Sequence, residues 1–145
     1  MKTVMKRKEL AVLVAVVLFA AIASCATFKQ NTYTTLYSAG VTYDTAMSVA
    51  GDLYKQGKVT DAQKAEIIKY ANPFYSAYHG AVDAFEVWNK VQTVESKDKM
   101  VTAMLEMMKK AASLKDYLAR LNVKGFDGVL DKLTELINLT EKITK

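Results

Sequence analysis

The sequence predicts an all-α protein, and more specifically an antiparallel four-helix bundle. Over three long stretches, apolar residues recur at alternating spacings of four and three, the heptad period of packed helices and coiled coils. One proline and six glycines in 145 residues leave little room for irregular structure. No sustained alternation of apolar and polar residues suggests a half-buried strand. The alternative architecture is a long helical hairpin with two shorter helices folded back on it.

The first element, residues 1–24, has the layout of a secretory signal peptide. The first nine residues contain four basic side chains and one acidic one, and so hold most of the net charge of +5. An apolar run from Leu10 to Ala23 follows, and small residues come after it. This run is shorter than the about 20 residues that a stable membrane span needs. We therefore expect cleavage; the alternative is an uncleaved single-span membrane anchor.

The leader ends in Ile22-Ala23-Ser24-Cys25, which resembles the lipobox of bacterial lipoproteins. The resemblance implies cleavage between Ser24 and Cys25, with Cys25 carrying a thioether-linked diacylglyceryl group and an N-acyl chain such as palmitate. Ala26, where an inner-membrane lipoprotein would have Asp, resembles the class that is sorted to the outer membrane. The expected location is thus the bacterial cell envelope, on the periplasmic face of the outer membrane. Cys25 is the only cysteine, which excludes an internal disulfide.

After the leader, residues 25–31 are short and polar, and we expect them to form a tether between the acyl chains and the bundle domain of residues 32–145. The first bundle helix should end at Gly57, a suitable left-handed cap. Its heptad pattern predicts a core stripe of Tyr33, Tyr37, Gly40, Asp44, Met47, Gly51 and Tyr54.

The second helix should begin at a capping box in which Thr60 is the N-cap and Gln63 bonds back to it. Pro73 lies inside this helix and is expected to kink it. The second helix should fade near residues 90–93. Its predicted core stripe is Ile67, Ala71, Phe74, Tyr78, Ala81, Phe85 and Trp88.

The third helix is expected to start at Ser96 and to be broken by residues 122–125. Its predicted core stripe is Met100, Met104, Met107, Ala111, Leu114, Leu118 and Leu121. The fourth helix, about residues 126–143, is shorter, and its inward positions should be Val129, Leu130, Leu133, Leu136, Ile137, Thr140 and Ile143. Because the three connections are short, neighbouring helices should be antiparallel.

We do not expect an enzyme. The acidic residues are scattered, and the chain has no nucleophile elbow, glycine-rich phosphate loop, His-Glu-x-x-His or Cys-x-x-Cys motif. His79 is the single histidine, so neither a zinc site nor an inward-facing di-iron site is expected, and no cofactor is predicted. Interspersed charges after the leader make nucleic acid an improbable partner.

The aromatic residues are the strongest candidates for a binding surface. Ten of them fall in the first two bundle helices, where heptad spacing favours core packing but the surplus of tyrosine favours a surface for a partner or an apolar ligand. The candidate surface consists of Tyr37, Tyr54, Phe74, Tyr78, Phe85 and Trp88. A second apolar set is expected to fill the core, although methionine-rich faces also suit varied partners: Met100, Met104, Met107 and Met108.

The functional hypothesis from the sequence is a non-enzymatic, lipid-anchored lipoprotein that acts as a structural or protein-interaction subunit of the envelope. Its membrane contact would be the acyl chains on Cys25, and its other contact a protein partner or a second copy. The alternative is a periplasmic carrier that binds a small apolar molecule or lipid in an aromatic groove between the first two helices. A further alternative is the uncleaved membrane-anchored protein.

Overall fold

The computed structural model describes residues 7–145, with side chains from residue 26 onward. Every regular element in this part of the chain is a helix, which confirms the all-α prediction. The helices are α1 (Arg7–Lys55), α2 (Asp61–Val91), α3 (Val94–Leu121) and α4 (Asp127–Thr144). Of the predicted signal peptide, residues 1–6 lie outside the described residues and residues 7–24 belong to α1; the side chains up to and including Cys25 are not described.

The four helices form a closed bundle in which each helix packs on two neighbours. Among the described residues, the backbone of α1 approaches α2 and α4, and that of α3 approaches the same two helices, whereas the backbones of diagonal helices do not come close. Phe28, near the start of the part of α1 with described side chains, contacts Trp88 near the end of α2. At the other end of α1, Tyr54 contacts Asp61 at the start of α2. Sequential neighbours are therefore antiparallel, as in an up-down-up-down bundle.

Helix α1 ends where the sequence predicted, because Gly57 adopts a left-handed conformation with φ of 71°. The Gly57 amide donates to the carbonyl of Tyr54, and the Lys58 amide donates to that of Leu53. These two bonds form a Schellman motif, which satisfies carbonyls at the helix end. The chain then turns, and Val59 is buried beneath the turn.

Capping boxes begin both α2 and α3. At α2, the Gln63 amide donates to Thr60 Oγ1 and the Thr60 amide donates to Gln63 Oε1, which confirms the predicted box. The expectation that α3 starts at Ser96 is wrong by two residues, since Thr93 is the N-cap and Ser96 is its partner at the third helical position. Serine can serve there because its hydroxyl accepts from the Thr93 amide, as glutamate or glutamine usually does.

The predicted core stripes of α2, α3 and α4 are confirmed. The most deeply buried large side chains from these stripes are Ile67, Phe74, Met100, Met104, Met107, Leu114, Leu118, Val129, Leu133 and Leu136. Met100, Met104 and Met107 are thus core residues, and Met108 is half-buried beside them. Tyr78, Phe85 and Leu121 are half-buried at the edges of the core.

The predicted stripe of α1 is wrong by one residue. The buried positions keep the heptad spacing but start one residue earlier, at Thr32, Leu36, Ala39, Tyr43, Ala46, Ala50 and Leu53, with Tyr43 half-buried. Tyr33 and Tyr37 are instead 57% and 65% exposed, and Asp44 is exposed as well. The physical reason is close approach: alanine and threonine allow α1 to lie near its neighbours, so these small residues, and not the tyrosines, occupy the interior.

The prediction of a tether at residues 25–31 is also wrong, because α1 continues through these residues without a break. Phe28 lies four residues before buried Thr32 and therefore shares its helix face. Its ring packs on Trp88 at a centroid distance of 5.4 Å. The expected irregular tether is thus helical, since a core-facing aromatic residue extends the packed face of α1 toward its N-terminus.

Helix α4 is shorter than its neighbours, and this makes the two ends of the bundle unequal. It has 18 residues against 31 in α2 and 28 in α3. At ~1.5 Å per residue it is roughly 15–20 Å shorter. One end, called the base here, contains residues 56–60 and 122–126 and is built from four helices. The other end, called the tip, contains Ala26 and the α2–α3 turn and is built from α1, α2 and α3.

Candidate functional site

A shallow groove between α1 and α2 brings together three of the six candidate aromatic residues. Tyr37, Tyr78 and Phe85 line it, and the cavity measures about 300 Å³. Its other walls are Tyr33, Leu36, Val82 and Glu86. We call this set the aromatic groove. Its volume lies at the lower limit of small-molecule sites, which are roughly 300–1,000 Å³.

Glycine at position 40 allows Tyr78 to lie against α1. A Cβ atom at position 40 would stand 2.9 Å from Tyr78 Oη, closer than real Cβ contacts come, and 3.2 Å from Cζ, a tight contact. The phenol ring therefore uses the space that a missing side chain provides. This contact fixes the inner wall of the aromatic groove, while Tyr37 remains 65% exposed on its outer rim.

Trp88 does not line the aromatic groove and lies at the tip. It is 8% exposed, and it contacts Phe28 edge-on and Phe85 at a centroid distance of 6.0 Å. A second cavity of about 580 Å³ opens beside it. We call this cavity the tip pocket; it is lined by Ala26, Phe28, Lys29, Trp88, Gln92, Thr93, Val94 and Lys97.

Phe74 does not belong to any surface. It is fully buried, and its ring meets that of Tyr43 at 6.2 Å. Its placement among the candidate surface residues is therefore wrong, because the tight α1–α2 contact at this level covers it. Tyr43 packs in turn against Tyr75, and burial together with the neighbouring Tyr75 and Asp44 raises the pKa of Tyr43.

Tyr54 lies at the base and joins the end of α1 to the start of α2. Its hydroxyl donates a 2.7 Å hydrogen bond to Asp61 Oδ1, and Lys64 Nζ lies 3.9 Å above its ring. The bond to Asp61, with the charge of that carboxylate, raises the pKa of Tyr54. Tyr54 is thus far from the aromatic groove, and its contacts are those of a structural residue.

His79 is an exposed residue on the outer side of α2. Its ring packs edge-on against Tyr75 at 4.3 Å and Tyr78 at 5.0 Å. In the part of the chain that the structure describes, no group of three or more histidine, cysteine or carboxylate side chains could hold a metal ion. His79 therefore contributes an aromatic contact beside the groove.

Sequence reasoning missed Phe28, Lys29 and Lys97, the residues that complete the tip pocket. Lys97 Nζ lies 4.5 Å from the centroid of the Phe28 ring, a cation–π contact between α3 and α1. For Phe28 the available signal was its spacing of four residues from Thr32, which continues the buried face of α1 backward by one turn.

Within residues 26–145, where side chains are described, no helix is both long and apolar enough to cross a bilayer. Comparison of the chain with protein-family models, with curated proteins and with solved structures yields no significant match.

Proposed function

We propose that this protein is a non-enzymatic lipoprotein of the bacterial envelope, anchored through acyl chains on Cys25, that acts as a structural or protein-interaction subunit. The observation that carries the proposal is the tetrapeptide Ile22-Ala23-Ser24-Cys25 directly after a basic segment and an apolar run. Two or more acyl chains give durable membrane attachment, whereas one holds only marginally.

The bundle supports an interaction role through the outer rim of the aromatic groove. Tyr33 and Tyr37 lie one helical turn apart and are 57% and 65% exposed. Tyrosine is enriched in protein interfaces, because its ring supplies apolar contact area and its hydroxyl supplies a hydrogen bond when a partner covers it. We therefore assign the partner surface to this rim.

A second candidate function is the binding of a small apolar molecule in the aromatic groove. The observation that favours it is the joint half-burial of Tyr78 and Phe85 along a continuous cavity. The cavity is small and open to solvent, which suits a weakly held ligand better than a carrier's cargo. For that reason we rank the binding of a small apolar molecule below the protein-interaction role.

Native mass spectrometry of the full-length gene product, extracted from its host in mild detergent, tests the proposal. We expect a mass that lacks residues 1–24, gains acyl chains and retains a second protein or a second copy. Cys25→Ala should keep the precursor mass, and Ala26→Asp, the matched control, should keep the lipid while shifting the protein to the inner membrane. An unmodified precursor in the unsubstituted protein would overturn the lipid anchor, and a small retained mass without a protein would favour the ligand-binding function.

A further inference from the structure

The tip exposes an unusual share of the apolar side chains. Of the seven large hydrophobic residues that are exposed among the described side chains, three lie within one stretch of eight residues: Val87, Val91 and Val94. Val91 and Val94 flank the α2–α3 turn and are 58% and 78% exposed. Isolated exposed valines are ordinary, but three within eight residues make this end of the bundle a candidate for an apolar contact.

The tip pocket beside these valines is basic as well as aromatic. Its charged residues are Lys29 from α1 and Lys97 from α3, and no acidic side chain lines it. The acidic residues Glu95 and Asp98 of α3 line a second cavity, which shares only Val94 with the tip pocket, and there Glu95 pairs with Lys99 at 2.7 Å. The pocket thus combines two cations with the rings of Phe28 and Trp88.

The position of the proposed anchor indicates which partner would lie against this surface. Ala26 lines the tip pocket, and Cys25 is the residue directly before it. The apolar segment from Leu10 to Ala23 also precedes the tip. With either form of the proposed anchor, a lipid on Cys25 or that segment itself, the membrane would begin within a few residues of Ala26, which lines one pocket with Thr93 and Val94 of the α2–α3 turn.

We propose that the tip docks on an anionic lipid bilayer, with Lys29 and Lys97 binding headgroup phosphates while Val91 and Val94 enter the interface between headgroups and acyl chains. The inference rests on the proposed function, since the anchor brings the tip to the membrane. Its chemistry is that of peripheral membrane proteins, in which basic side chains bind anionic lipid and apolar ones insert shallowly. Docking at the tip would hold the bundle upright and present the aromatic groove sideways to a partner.

Trp88 provides the measurement, because it is the only tryptophan and it lines the tip pocket. Full-length protein would be reconstituted into vesicles of phosphatidylcholine alone or of phosphatidylcholine with phosphatidylglycerol, each containing lipids brominated near the headgroup. We expect Trp88 fluorescence to be quenched more strongly in the anionic vesicles. Added salt should reduce this difference, because it screens the lysines.

Two variants and a matched control make the test specific. Lys29→Glu with Lys97→Glu should remove the extra quenching in anionic vesicles, and Val91→Ser with Val94→Ser should weaken quenching in both compositions. Lys58→Glu with Lys124→Glu changes the net charge equally but at the exposed base, and it should behave like the unsubstituted protein. Thermal unfolding of each variant checks that the bundle is intact.

Flotation of the same vesicles separates the two proposals. Protein that fails to float with either vesicle overturns the membrane anchor and the docking with it. Protein that floats but shows equal quenching in both compositions, or unchanged quenching in the tip variants, overturns the docking alone.

Discussion

At the scale of single residues, the aromatic side chains of α1 and α2 occupy two different environments. Phe74 is fully buried against Tyr43, whereas Tyr37 is 65% exposed at the rim of the aromatic groove. Both residues occupy heptad positions in the sequence, but only the Phe74 ring is removed from water on folding. Hydrophobic burial stabilises in proportion to the area removed from water, so the two rings contribute very differently to folding.

This difference predicts opposite effects for two alanine substitutions. Phe74→Ala should lower the free energy of unfolding by about 3–5 kcal/mol, because it opens a cavity in the core. Tyr37→Ala should change it by only about 0.5 kcal/mol, as is usual for an exposed position. Urea unfolding of the full-length protein in detergent measures both values. Tyr37→Ala should also reduce the amount of partner retained in native mass spectrometry, and full retention would contradict the assignment of the partner surface to this rim.

At the scale of the helices, local chemistry at each end decides where the element begins and ends. Thr60 and Thr93 start α2 and α3 through reciprocal bonds, and left-handed residues end α1, α2 and α3 at Gly57, Gln92 and Asn122. Each of these devices satisfies backbone groups that a helix end leaves unpaired. They act locally, and they therefore hold regardless of how the helices pack.

Alanine substitutions at two glycines, one inside α1 and one in the turn after it, test whether local backbone conformation ends the helix. Gly51 lies inside the helix, and a Cβ there would meet nothing within 4 Å, whereas Gly57 has a φ of 71°. Gly51→Ala should raise the free energy of unfolding by about 0.5–1 kcal/mol through helix propensity. Gly57→Ala should lower it by ~1–2 kcal/mol, because an alanine is strained in the left-handed region. Equal signs for the two substitutions in urea unfolding would refute this account of the helix end.

At the scale of the whole molecule, the short α4 divides the bundle into a four-helix base and a three-helix tip. At the base, Gly125 approaches Leu53 so closely that a Cβ would lie 2.9 Å from Leu53 Cδ2. At the tip, two open cavities of about 610 and 580 Å³ flank the start of α3. Fewer neighbours and more exposed backbone lower the free energy needed for local opening.

Hydrogen exchange should therefore vary along α1 even though the helix is continuous. In detergent, the amides of residues 28–34 should exchange faster than those of residues 44–50. The reason is that α4, with 18 residues, is long enough to run beside residues 44–50 but too short to reach residues 28–34. Mass spectrometry of the exchanged full-length protein resolves the two segments, and the second segment serves as the internal control. Equal protection of both would mean that the tip is as stable as the base.

The sequence by itself determined the helix number, most helix ends and the core faces of α2, α3 and α4. Helix ends depend on local sequence: a capping box such as Thr60 with Gln63 involves four consecutive residues. Core faces are predictable where an apolar stripe lies opposite a charged face, as in the Met100–Leu118 stripe of α3. Tertiary structure alone decided the face of α1, because both Tyr37 and Ala39 are compatible with a core and only the closeness of the neighbouring helices selects the smaller residue. It likewise assembled the tip pocket, since Phe28, Trp88 and Lys97 come from three helices and no local pattern relates residues so far apart in the chain.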